Sequence, residues 1–510
     1  MYFINAGGVL FDSPEYLHLF TLPNFIQALA GGHHPLHLGY IALFWPIFHA
    51  ATFFSLNGAI SVIVVQILLS GITLCCYYEL IHFITDKKTA FLATLFAALV
   101  PLYWIITDTI MMENAYLCFF FVSLYFLIRS ISDKKHNLFF HILSMVFLLL
   151  AAITHTMVIF WLPFLWFLIF YKKRKFLLVY AISSLISIFL AYSLNIYFSA
   201  ITSNSSWQAV FYALSKEKDD MAILGFTIKS VGVIIRDFFI IQMRNYTFLL
   251  TILSLISLLK LFKVNKNLFI LGILWILPAL YINLWWDSLF PGRYAALSGF
   301  GITFLSSLLL KNHKIVTFLV IAYLLIVTVP AVNLLRQPIP YLEEAKYAAS
   351  LPNDSLLIES HFDRPQVQET FRGKLVSVND NLLTNEDIQK LINNYLLHKK
   401  PVYISSAALS DPYGLYTGPY LHILSLSYAG QPKLWPVMEK YSLKKYKTIS
   451  NADNLFIYKI ISNNPSPYPS VKNLKNSYRR LDYTDPLWQI TWYIETNELG
   501  KKDNRYKEKE

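Results

Sequence analysis

Two short polar stretches near the N-terminus carry residues suited to acid–base and phosphate chemistry. Asp12-Ser-Pro-Glu15 sets two carboxylates three residues apart. On a helix they share a face, so one can act as a general base while the other orients it or holds a cation. The same tetrapeptide is a good helix start, with Asp12 as N-cap, Pro14 in the first turn and Glu15 reaching back in a capping box. The two readings are compatible. His33-His-Pro-Leu-His37 follows. Its imidazoles can bind a metal, shuttle a proton or, when protonated, pair with a phosphate, although histidines are also common at membrane interfaces.

Three later sites share this character. Thr107-Asp-Thr-Ile-Met-Met-Glu113 places Asp108 and Glu113 on a short turn between apolar runs. Ionisable groups at membrane depth are costly and functional by default, whereas at an interface both reach water cheaply. His155 interrupts another apolar stretch and is read equally well as the mark of a turn. In Trp285-Trp-Asp-Ser-Leu-Phe-Pro-Gly-Arg-Tyr294 the aromatic residues fit an interfacial belt, and Arg293 is the single cation. Its guanidinium suits a phosphate, held through two parallel bonds, or else snorkels or pairs with Asp287.

The elements that must position these residues are membrane helices. Of 510 residues, 55% are hydrophobic and 15% charged, well below the roughly 25% charged of a soluble protein. Apolar runs near spanning length occur at 58–82, 89–106, 110–129, 138–153, 156–171, 176–198, 246–263, 268–286, 294–310 and 315–334. A shorter run at 37–55, interrupted by Pro46 and His49, reads as a re-entrant or interfacial helix or as an eleventh span. The fold class is an α-helical polytopic membrane bundle of 10–11 spans. Cys75, Cys76 and Cys118 all lie in apolar runs and make neither a disulfide framework nor a zinc site. Residues 1–11 lack a basic region and are too short to span, so no cleavable signal is visible.

No Lys or Arg precedes Lys87, and the net charge of +12 sits largely in alternate short loops: Lys87/Lys88, Lys134/Lys135, Lys172–Lys175, Lys260/Lys263/Lys266 and Lys311/Lys314. Placed there, the cations imply no nucleic-acid partner; they put those loops in the cytoplasm and the candidate residues outside. Residues 199–245, with Lys216-Glu-Lys-Asp-Asp220 and a moderately amphipathic stretch near 226–242, read as an outward loop with an interfacial helix. From about 335 the composition is that of a small extracytoplasmic α/β domain. Strands are predicted at 354–362, 374–380, 401–408 and 454–461, and a helix at 385–400 behind Thr384-x-x-Asp387. The domains are therefore 1–57, an outward acidic and His-bearing loop with an interfacial helix; 58–335, the bundle; 336–462, the α/β domain; and 463–510, a polar tail.

With these residues placed, the chain resembles the GT-C superfamily of membrane glycosyltransferases, within it the protein O-mannosyltransferase-like and aminoarabinose-transferase-like enzymes. The resemblance rests on Asp12-x-x-Glu-Tyr16, His34-Pro-Leu-His-Leu-Gly-Tyr40, Glu113 and Arg293-Tyr294, and covers residues 1–335. It implies a polyprenyl-phosphate-linked sugar as donor, an acceptor protein, lipid or glycan, and action at the outer face of a multi-pass cell membrane protein, a bacterial-type plasma membrane being favoured. Carried over, Asp12 would be the base, with Glu15 and Glu113 as carboxylates of the same site; Arg293, His34, His37 and Tyr294 would contact the donor phosphate. A divalent cation stays open, with Asp108, Glu113 and His34 as candidate ligands. The family has a transmembrane helix ahead of the acidic loop, so a first helix is expected upstream of Met1. Its Glu-Lys-Pro-Pro sequence is replaced here by His33-His34-Pro35.

The alternative from another class is a transporter or flippase of a lipid-linked sugar or anionic lipid. It would put ionisable groups near the midplane of broken helices and show repeated halves; the candidates here cluster at outward ends, and no repeat is visible. A scaffold whose C-terminal domain binds surface partners is a third reading, which leaves the acidic loop unexplained.

Overall fold

The computed structural model describes residues 13–31, 37–132, 135–202, 246–285, 296–334, 340–359, 370–377, 384–405, 408, 434–438, 440–450 and 455–462. The chain divides into two compact units, Met1–Val332 and Asn333–Glu510. The stretch near 226–242, the Lys216–Asp220 cluster and the tail from 463 lie outside the described residues.

In the first unit every predicted run is helical. Short α1 (Ser13–Thr21) and α2 (Phe25–Ala30) precede α3 (Leu38–Phe53) and α4 (Gly58–Ile84). The run at 89–106 is two helices, α5 (Lys87–Leu99) and α6 (Pro101–Thr107). A residue before proline is driven out of the α region, and Val100 is extended at φ −75°, ψ 139°. Next come α7 (Met112–Ser132), α8 (Asn137–Thr154), a 3-10 turn (Thr156–Trp161), α9 (Leu162–Lys173) and α10 (Leu177–Thr202), then helices Phe248–Val264, Lys266–Trp285, Ala296–Leu310 and Lys314–Leu334. Among the described residues, four stretches are long and apolar enough to cross a membrane: Gly58–Ile84, Met112–Ser132, Asn137–Thr154 and Thr156–Phe198. Large apolar side chains such as Phe189 and Leu259 are exposed on the outside of the unit, a surface suited to lipid rather than water. The protein is a multi-pass membrane protein.

With lipid outside, polar and small residues join the helices. Ser123 Oγ donates to the Ser144 carbonyl (2.8 Å) while Ser144 Oγ donates to the Ser123 carbonyl (2.9 Å), a reciprocal tie between α7 and α8. Gly39 lets α3 approach α8, since a Cβ there would collide with Thr154 Oγ1 and lie 3.1 Å from the Leu150 carbonyl oxygen.

The basic loops meet at one end of this unit. Lys172 Nζ donates to the carbonyls of Phe83 (2.8 Å) and Ile84 (3.3 Å), at the C-terminus of α4. Lys173 Nζ donates to the Ile131 carbonyl in the last turn of α7, and Lys311 pairs with Asp86 at 2.8 Å. Cations at helix C-termini satisfy the last carbonyls and oppose the negative end of the dipole.

The second unit contains a five-stranded mixed sheet, β1 (Leu356–Glu359), β2 (Lys374–Ser377), β3 (Val402–Ser405), β4 (Ser442–Ser450) and β5 (Leu455–Ser462), in the order β2-β1-β3-β5-β4. β1 runs parallel to β2 and β3, whereas β5 is antiparallel to β3 and β4. Helix Asn385–Leu397, started by the predicted Thr384/Asp387 capping box, packs Ile388 and Ile392 on the face of Ile358 and Ile404. Helix Pro340–Ala348 packs Ala345 and Ala348 on the opposite face, against Leu357 and Tyr403. Four strands were legible in the sequence; β4 was not. Its Lys444, Lys445 and Lys447 hide a strand pattern and suit an edge, where charge blunts unwanted pairing.

Candidate active site

The basic end of α7 is its C-terminus; its first turn, at the other end, carries Met112 and Glu113. There the starts of α3 and α7 meet the end of α8, and α1 packs beside them. α1 begins at Ser13, where the sequence places a helix start, with Pro14 in its first turn. One residue after Glu15, Tyr16 is buried, and its hydroxyl donates to Met112 Sδ at 3.0 Å. The Tyr16 ring meets Tyr40 edge-on at 4.8 Å and lies 6.1 Å from the His37 ring.

Two histidines face each other next to this pair, ring centroids 5.8 Å apart. His37 Nδ1 is 3.0 Å from the Thr154 carbonyl, which can only accept, so Nδ1 carries the proton and Nε2 is left as an acceptor in the neutral ring. His155 has the opposite arrangement: its Nδ1 accepts from the Met157 N–H at 3.3 Å, leaving Nε2 as donor. That bond caps the 3-10 turn, so His155 does mark a turn. It also packs edge-on against Tyr116 at 4.8 Å, one helical turn from Glu113.

Glu113 is fully buried. The Tyr40 hydroxyl has no hydrogen-bond partner among the described residues. Asp108 closes α6 through its backbone N–H to the Trp104 carbonyl (3.0 Å), and it too is buried. Val100, Tyr103, Tyr246, Gly299 and Phe300 line a small apolar cavity beside α6. The described residues contain no group of three or more His, Cys, Asp or Glu side chains placed to hold a metal ion.

His37, Glu113 and His155, picked out separately in the sequence, are thus gathered at one end of the bundle, with Tyr16, Tyr40 and Tyr116 between them. Asp12, His33, His34, Asp287, Arg293 and Tyr294 lie outside the described residues, as does the side chain of Glu15. The tyrosines had no assigned role in the sequence. Their signal was the position of Tyr16 and Tyr40 at the ends of the two polar motifs.

Residues 33–198 match a family model described as dolichyl-phosphate-mannose-protein mannosyltransferase. Among solved structures the chain is similar to the Archaeoglobus fulgidus oligosaccharyltransferase in complex with Zn and sulfate: 12% identity, TM-score 0.47, covering 89% of this chain and 69% of that one. It is also similar to AglB from the same organism with an inhibitory peptide and a dolichol-phosphate: 11% identity, TM-score 0.49, 86% and 69% covered. A third is ArnT from Cupriavidus metallidurans in the apo state: 9% identity, TM-score 0.44, 89% and 94% covered. No curated protein matches the sequence. The family match takes in α3 to α10, the elements that carry His37, Glu113 and His155.

Proposed function

We propose that the protein transfers a sugar from a polyprenyl-phosphate donor to an acceptor hydroxyl at the extracytoplasmic face of the membrane. The observation that carries this reading is the gathering of His37, Glu113 and His155 at the end of the bundle opposite the lysine-rich loops. An acceptor hydroxyl must lose its proton as its oxygen attacks the anomeric carbon, and the bond from that carbon to the phosphate oxygen breaks. The first event needs a carboxylate, the second positive charge on the departing phosphate. Asp12 is the proposed base, with Glu15 and Glu113 as further carboxylates of the site. Arg293, His34, His37 and Tyr294 are the proposed phosphate contacts, the acceptor Nε2 of neutral His37 becoming a donor on protonation. Asp108, Glu113 and His34 are the side chains available to a divalent cation, and no step is routed through one. The α/β unit is proposed to lie on the same outer side, and the acceptor to be a protein, lipid or glycan.

The test is Glu113→Gln in the full chain, assayed with polyprenyl-phosphate-mannose for release of polyprenyl phosphate. Loss of a catalytic carboxylate lowers turnover by roughly 10²–10⁴. Turnover within a few-fold of wild type would remove Glu113 from the site, and movement of the lipid across the bilayer without release of its phosphate would favour the transporter instead.

A further inference from the structure

The turn at 107–113 carries Asp108 and Glu113, yet it is neither helix nor strand at its centre, so its position must be held from elsewhere. α4 supplies the hold. Gln66, Ser70 and Thr73 recur at helical spacing in this spanning helix, all buried, where lipid offers polar groups no partner. Gln66 Nε2 donates to the Met111 carbonyl at 2.8 Å, two residues before Glu113. Asn114, the next residue after Glu113, is fully buried; its Nδ2 donates to the Gln66 backbone carbonyl at 2.5 Å and its Oδ1 accepts from Ser70 Oγ at 2.8 Å. Thr107 Oγ1 stands 2.7 Å from the same Ser70 hydroxyl, and Tyr103 of α6 donates to the Ser70 carbonyl at 2.7 Å. Four side-chain bonds thus bind both ends of one turn to two successive turns of a single rigid helix. The amide of Asn114 uses one end as donor and the other as acceptor, so neither Asp nor Leu can replace it.

We propose that Gln66, Ser70 and Asn114 are positioning residues for the transfer reaction, a clamp that fixes the Glu113 carboxyl relative to His37 and His155. The inference rests on the reading that Glu113 acts in the site. Its physical basis is that a misplacement of about 1 Å costs on the order of 100-fold in rate, and a turn without regular structure is the part of this site most prone to such drift.

The experiment combines two measurements on full-length protein in detergent: hydrogen exchange of the segment 107–114, and turnover of polyprenyl-phosphate-mannose. Asn114→Leu and Ser70→Ala should raise exchange in that segment about tenfold while leaving exchange in α8 and α10 unchanged. They should lower kcat by about 10- to 100-fold with donor KM within about twofold, and Ser70→Thr should restore both. In a Glu113→Gln background, Ser70→Ala should reduce kcat no further, because the group it positions is gone. Unchanged exchange overturns the clamp. Raised exchange with wild-type kcat, when Glu113→Gln alone is impaired, overturns the positioning role. A Glu113→Gln variant with full activity overturns the reading of Glu113 itself, and the exchange data still report on the clamp.

Discussion

His37 and Thr154, 117 residues apart in the chain, are joined by a 3.0 Å bond from the imidazole Nδ1 to the main-chain carbonyl. This bond seats the start of α3 on the end of α8 and sets the tautomer that His37 presents to His155. His37→Ala should cost about 1 kcal/mol of stability. His37→Asn, whose amide can reach the same carbonyl, should recover most of it. Thermal unfolding in detergent is the measurement, and equal stabilities for the Ala and Asn variants would show that the bond contributes nothing.

Two glycines give a paired prediction. A methyl at Gly39 would collide with Thr154 Oγ1, whereas one at Gly71 would meet nothing within 4 Å. Gly39→Ala should destabilise by about 1–3 kcal/mol through overpacking, and Gly71→Ala should be neutral or stabilising because alanine is the better helix former. Unfolding temperatures of the two variants check this; equal shifts would mean that α3 and α8 are not in close contact.

The Asp86–Lys311 pair predicts a pH dependence. Partial burial pushes the Asp86 carboxyl upward, but the bonds from Lys311 and from the Thr89 backbone and hydroxyl outweigh it and bring the pKa down to about 2. A carboxylate lowered on folding contributes stability above its unfolded value, about 3.9, and loses that contribution as the pH falls through the folded value. The stability gap between wild type and Asp86→Asn should therefore be constant above about pH 5 and close as the pH falls from about 4 to 2. Unfolding midpoints across that range test it, and a gap that persists at pH 2 would refute the ion pair as its source.

Topology follows from the lysines. Reporters fused after Lys135 or Lys173 should read cytoplasmic, and those after Pro340 or at the C-terminus external. A cytoplasmic C-terminus would invert the bundle and put the site on the wrong side for the proposed reaction.

For the proposed phosphate contact, Arg293→Lys should weaken donor use more than its conserved charge suggests, because a point ammonium cannot reproduce the planar guanidinium fork. Transfer rate against polyprenyl-phosphate-mannose concentration is the readout. An unchanged curve would return Arg293 to a snorkelling or Asp287-pairing role.

Much of this was legible in the sequence because lipid makes polarity informative. Glu113 and His155 stand out as polar residues beside long apolar runs, and the Thr384/Asp387 capping box announces its helix. What was not legible is convergence: nothing local says that the rings of His37 and His155 lie 5.8 Å apart, since that is decided by how α3 packs across α8. The break at Val100–Pro101 was written in the sequence but masked by the apolar residues on both sides. Gln66 and Ser70 stand at helical spacing too, but only the placement of Asn114 against them shows their use.

α7 runs for 21 residues, about 31 Å at 1.5 Å per residue, which is the thickness of a bilayer's hydrocarbon layer. Set along the membrane normal with its lysine-bound end at one boundary, α7 would bring Glu113 level with the headgroups of the opposite leaflet. A lipid whose sugar is attached through a phosphate already carries its scissile bond at that height. Such a donor could react by lateral diffusion alone, its tail never withdrawn from the leaflet, and the energy of extracting a long prenyl chain would not enter the barrier.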